Sequence, residues 1–136
     1  MRVSDIFKEN VGRRKHMPLK LDLGKKGFNL VLKPYQIEAM KYLWANPEEG
    51  GSSRDVYVAV NEMLDPGSSI SRASIINLLN ALVDDGVLDY HEITGKGGHR
   101  RIYKPKFDEN GFKRFIAETA IKKLKEEFPN ELRELL

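Results

Sequence analysis

Cysteine is absent from this chain of 136 residues. That excludes a disulfide scaffold, a thiolate zinc site and a cysteine nucleophile. Long apolar runs are absent as well, and the uninterrupted hydrophobic stretches fall far short of the ~20 residues of a membrane span. No apolar stretch follows Arg2, so a secretory signal is not expected. A thiol-free chain fits a reducing cytoplasm, which is the expected location. Histidine is scarce, and His16, His91 and His99 lack metal-ligand spacing. The carboxylates are scattered rather than gathered on one target, which argues against a metal nuclease. Gly95-Lys-Gly-Gly98 lacks the Gly-Lys-Ser/Thr ending and the following helix of a phosphate loop. No nucleophile, base and orienter can be assembled. Neither an enzyme nor a metal or cofactor site is expected.

What is present is a balanced composition, 40% hydrophobic and 32% charged, as in soluble globular domains. The length suits one ordinary domain with a sizeable core, or a smaller domain plus an appendage. The net charge of +3 conceals a strong asymmetry. Residues 1–33 hold nine Lys/Arg against three Asp/Glu; residues 34–92 hold three against ten. Residues 93–106 hold five basic and no acidic residues, and residues 107–136 hold six against seven. Two basic segments therefore bracket an acidic middle, and a polyanion is drawn to the brackets.

The first third reads as a basic extension, residues 1–32. It has a short helix over Val3–Val11, a basic cluster Arg13-Arg14-Lys15-His16 and a hairpin. Leu19, Leu21 and Leu23 alternate at the strand period, and Phe28–Leu32 supplies the second strand. From Lys33 the signals sharpen. Pro34 suits the first turn of a helix bearing Ile37, Met40, Leu43 and Trp44 on one face. Ser53 is read as the cap of a second helix, Arg54–Leu64, with Val56, Ala59, Val60 and Met63 inward. Asp65-Pro66-Gly67 breaks the chain. Ser71 caps a third helix, Arg72–Asp85, with an apolar stripe of Ile75, Leu78, Leu79 and Leu82. Gly86 suits the left-handed position after it. Val87–Ile93 alternates as a strand, Thr94–His99 is a glycine-rich loop, and Arg100–Lys104 is the returning strand. A last helix, Glu109–Glu127, carries Phe112, Ile116, Ala120, Leu124 and Phe128 at intervals of four.

Three short helices followed by a basic-tipped hairpin is the order of a winged helix-turn-helix. The expected fold is thus α+β, mainly α, with the winged helix over residues 33–107 and a helical segment over 108–136. The third helix is the candidate reader of a DNA major groove. Ser71, Arg72, Ser74 and Asn77 lie in its first turns, where hydroxyl, guanidinium and amide groups meet phosphates and base edges. At the hairpin, Lys96, His99, Arg100 and Arg101 are placed to meet the DNA backbone or minor groove. The two arginines are adjacent on a strand, so one is expected to face out while the other packs on a neighbour.

The stretch from Lys33 to Phe107 resembles the penicillinase repressor (BlaI/MecI) family of winged-helix regulators. The likeness is carried by Gln36-Ile-Glu-Ala-Met-Lys-Tyr-Leu-Trp44, by Ser71–Leu88 with its Gly-x-Leu exit, and by Arg101-Ile-Tyr-Lys-Pro105. A looser similarity extends to other winged-helix groups, such as MarR-type regulators. The resemblance implies a homodimeric repressor that binds double-stranded DNA at an operator of dyad symmetry. It also implies that the segment after the wing forms the dimer interface. Here that segment carries Phe112, Phe115, Ile116, Ile121, Leu124 and Phe128, an apolar surface wide enough to need a partner. Asp84 and Asp85 stand where relatives usually carry lysines, and Ala81 where an arginine is common. The competing expectation is a winged helix used for protein contact, which the acidic middle favours.

Overall fold

The computed structural model describes residues 19–95 and 97–136. The expected helix over Val3–Val11, the cluster Arg13–His16 and Lys96 lie outside the described residues. The chain divides into two compact units, Met1–Lys106 and Phe107–Leu136.

The first unit contains helices α1 (Pro34–Ala45), α2 (Ser53–Met63) and α3 (Arg72–Asp84), then strands β1 (Leu88–Gly95) and β2 (Gly98–Pro105). The expected hairpin ahead of α1 is not formed, and residues 19–32 carry no strand. The chain turns at Asp22, whose Oδ1 accepts from the Gly24 N–H at 3.0 Å. It then winds into a 3-10 turn, Gly27–Leu30. The Phe28 ring lies 5.3 Å from that of Trp44, so this turn docks on α1. Leu21 and Leu23 are exposed. Among the described residues their alternation meets no apolar surface that would hold them as a strand, whereas Val31 and Leu32 are buried.

Pro34 occupies the first turn of α1, and the Lys33 N–H donates to Gln36 Oε1 at 2.9 Å. Ala39, Met40 and Leu43 are buried on its inner face. The cap of α2 is Ser52 rather than the neighbouring Ser53. Ser52 Oγ accepts from the Asp55 N–H at 3.1 Å, and Asp55 Oδ2 accepts from the Ser52 N–H at 3.0 Å. Only Ser52 stands three residues before this carboxylate, which is the spacing that reciprocal capping requires. Replacing Ser52 with Ala removes one bond and strands a donor. The expected loss is about 1 kcal/mol of stability, read as a shift of the urea midpoint. Val56 and Val60 are buried as expected, but Met63 is 67% exposed because the last turn of α2 runs past the core.

Ser71 caps α3, and Ile75, Leu78, Leu79 and Leu82 form its buried stripe. Asp85 serves as the C-cap residue and is itself buried. Gly86 follows with φ +82°, the left-handed position. The hairpin is longer and its turn tighter than the pattern suggested. Thr94 pairs with His99 and Gly95 with Gly98, so the expected loop residues belong to the ladder. The loop between α1 and α2 adds a rung at the base of the sheet. The Gly51 N–H donates to the Tyr103 carbonyl at 3.0 Å, and the Tyr103 N–H donates back at 2.8 Å.

The second unit holds α4 (Glu109–Glu127) and α5 (Pro129–Leu135). Asp108 caps α4 by accepting from the Gly111 N–H at 2.7 Å. Phe112 is fully buried, with the Phe115 ring 6.3 Å away, and Phe115 lies 5.2 Å from Phe107. Phe112 is therefore core and not a candidate for contact with a second copy, which corrects its place in the expected interface. An interval of four residues overshoots a helical turn by about 40°, so four such steps carry Phe128 about 160° around from Phe112. The apolar residues at that spacing spiral around α4. Ile121, Leu124 and Phe128 are exposed, whereas Phe115 and Ile116 are half-buried. Among the described residues no helix is long and apolar enough to cross a membrane.

Candidate nucleic-acid interface

The interface is built on α3 and the hairpin. The buried stripe of α3 fixes which side faces out. Ser71, Arg72 and Asn77 are exposed, and Ser74 is half-buried beside them. Ser74 N–H donates to Ser71 Oγ at 3.1 Å, and the two hydroxyls lie 2.9 Å apart. The hydroxyl pair keeps one hydrogen to donate outward. The Arg72 side chain has no hydrogen-bond or ion-pair partner among the described residues. The amino end of α3 is thus solvent-facing, with its positive dipole end and first N–H groups directed outward.

The turn leading into α3 is held by Asn61 on α2. Its Oδ1 accepts from the Ile70 N–H at 2.9 Å, and its Nδ2 donates to the Ile70 carbonyl at 3.2 Å. This clasp sits one residue before the cap. It was not legible from periodicity, because a polar residue on α2 that meets a backbone nine positions later leaves no local signal.

On the hairpin, Tyr90 pairs with Tyr103 and Glu92 with Arg101. With Thr94 and His99 these residues share one face of the ladder; Arg100, Ile102 and Lys104 share the other. The expected division between the two arginines is observed. Arg100 is exposed, and its side chain has no partner among the described residues. Arg101 is half-buried and donates to Asn80 Oδ1 at 3.1 Å. Its guanidinium lies 4.0 Å from the Tyr90 ring centre and 4.0 Å from Glu92 Oε1. The Tyr103 hydroxyl donates to the same Asn80 oxygen at 2.6 Å. Asn80 lies one helical turn beyond Asn77, so this face of the hairpin, with Arg101 and then His99, is tied to the flank of α3 that leads to its exposed amino end.

Burial raises the Tyr103 phenol above its ordinary pKa, against a smaller downward pull from Arg101. Tyr42 is raised by burial and by the carboxylates of Asp55 and Glu49. The fold therefore favours the neutral phenols. Their contribution is complete below the ordinary phenol pKa of ~10 and is lost as pH climbs through the higher folded values. Tyr103→Phe is expected to flatten the decline in urea midpoint above about pH 10. An unchanged slope in that variant contradicts the assignment.

The acidic residues have defined places. Asp85 is buried, whereas Asp84 is exposed. Asp89 lies 3.9 Å from Lys106, and Glu92 4.0 Å from Arg101. No group of three or more histidines or carboxylates among the described residues is arranged to hold a metal ion.

No family model matches the chain, and no curated protein sequence matches it. Among solved structures it is similar to a protein from Methanosarcina mazei Go1 described as a "possible transcriptional regulator". The TM-score is 0.55 at 16% identity, over 76% of this chain and 78% of that one. Three helices, the rung between the α1–α2 loop and β2, and the two-stranded hairpin together make the chain a winged helix by fold.

Proposed function

We propose that this chain binds double-stranded DNA in sequence-specific fashion and regulates transcription as a cytoplasmic homodimer. The observation that carries the reading is the joint exposure of the α3 amino end and the basic hairpin on a winged-helix frame. Arg72 and the hydroxyls of Ser71 and Ser74 serve phosphates. Asn77 faces a base edge, where its amide matches adenine. His99 and Arg100 of the wing lie along the backbone or the minor groove. The regulator similar to this chain supports a role in transcription. Repression at an operator of dyad symmetry comes from the resemblance of residues 33–107 to penicillinase repressors. Ile121 and Leu124, exposed on one flank of α4, and Phe128 at its C-cap supply the apolar surface for a second copy.

The acidic middle favours the competing protein-contact reading, but its charge is offset in part at the hairpin. Two of its exposed acids are held by basic neighbours, Asp89 by Lys106 and Glu92 by Arg101. Selection of bound duplexes from a random pool tests the reading. The wild-type protein is expected to enrich a two-fold symmetric sequence. Asn77→Ala is expected to relax one base position in each half-site by about 1–3 kcal/mol, with the others unchanged. No enrichment by the wild type counts against specific binding, and an unaltered preference in Asn77→Ala removes Asn77 from the reading set.

A further inference from the structure

We propose that Asn80 pins the wing to α3, and that Arg101 serves DNA binding as a positioning residue rather than as a phosphate contact. The inference rests on the DNA-binding reading above and concerns how its two halves are held in register. Asn80 Oδ1 receives two hydrogen bonds from one strand, from Tyr103 at 2.6 Å and from Arg101 at 3.1 Å. A carbonyl oxygen has two lone pairs, and both are used here. Asn80 is thereby the point where the hairpin face meets the reading helix.

Arg101 is held from three directions. Asn80 takes one Nη1 hydrogen, the Tyr90 ring lies 4.0 Å below the guanidinium, and the Glu92 carboxylate offsets its charge. Moving Arg101 to a phosphate gives up the hydrogen bond and the ring contact and exposes the Glu92 charge to the DNA. Arg100, on the opposite face of the hairpin and without a partner among the described residues, gives up nothing comparable. The clamp also fixes His99, which lies two residues further along the same face of β2, relative to Ser71–Asn77.

Two readouts test this. In the free protein, Asn80→Ala and Arg101→Ala are each expected to speed amide exchange across β1 and β2 about tenfold, with α1 unchanged. Asn80→Asp keeps the acceptor and is expected to keep the protection. Unaltered hairpin exchange in both alanine variants overturns the clamp. The second readout is duplex affinity against salt. Arg100→Ala is expected to reduce the log–log slope by about 0.9, the loss of one phosphate contact. Arg101→Ala is expected to weaken binding about tenfold at the wild-type slope. Asn80→Ala combined with Arg101→Ala is expected to weaken binding by less than the sum of the two single effects, since the bond between them is lost only once. A slope reduction for Arg101→Ala equal to that for Arg100→Ala overturns the positioning role. If the wild type binds no duplex at any salt, the DNA reading fails and Arg101's role in it fails too; the exchange result then decides the clamp alone.

Discussion

Gly50→Ala is expected to lower the stability of the first unit by about 3–4 kcal/mol. Gly50 has φ +69°, a conformation in which a side chain is strained. A Cβ there collides with the Tyr103 carbonyl oxygen and stands 2.8 Å from Lys104 Cγ. The carbonyl cannot move aside, because it accepts from Gly51, and Tyr103 N–H donates back to Gly51. The left-handed backbone costs ~1–2 kcal/mol for alanine, and loss of the two rung bonds adds ~1 each. Gly86 provides the comparison. Its φ is +82°, but nothing lies within 4 Å of a Cβ built there. Gly86→Ala therefore carries the backbone strain alone, about 1 kcal/mol or slightly more. Urea denaturation of both variants separates steric exclusion from strain, and equal midpoints for the two contradict the rung's role. Because Tyr103 also bonds Asn80, Gly50→Ala is expected to loosen the wing from α3 as well.

The second large effect concerns assembly. Leu124→Glu combined with Phe128→Glu is expected to convert the proposed dimer to monomer in sedimentation analysis. The same variant is expected to reduce affinity for a two-half-site duplex by roughly 10²–10⁴, because the second half-site no longer binds as an intramolecular event. Phe128 is 57% and Leu124 40% exposed. Leu124 shares one flank of α4 with Ile121, three residues before it, and Phe128 follows at the C-cap. These carboxylates replace exposed side chains, so the helices themselves are expected to remain folded. Phe112→Ala on the opposite side is expected to act differently: it opens a cavity and costs about 3–5 kcal/mol of stability. A wild-type monomer at all concentrations, or a glutamate variant with unaltered sedimentation and binding, contradicts the proposed dimer.

Much of the winged helix was legible because its signals are local. Pro34 at a helix start, Ser71 before the apolar stripe of α3, Gly86 after it and the alternation through Val87–Ile93 each report on a few neighbouring residues. Readings failed where a local pattern needed a distant surface to confirm it. Leu19, Leu21 and Leu23 have the strand period but join no sheet among the described residues. Ser52 is the exception, since its spacing of three from Asp55 is a local signal that separates it from Ser53. The four-residue spacing along α4 looks like one face over a single turn and winds to the opposite side over sixteen residues. Asn61, Asn80 and Gly50 act through backbone or side chains far along the chain, so nothing around them marks their importance. The adjacent arginines were legible as a pair with different fates, but only the Asn80 and Tyr90 contacts show which one is engaged.

The most direct measurement of the central claim is an amide NMR titration of the whole chain with a duplex taken from the selection. The predicted result is saturable perturbation of Ser71–Asn77 together with His99 and Arg100, both groups following one binding curve that weakens as salt rises. Perturbation of only one group, or of neither while another surface responds, contradicts a shared DNA surface on α3 and the wing.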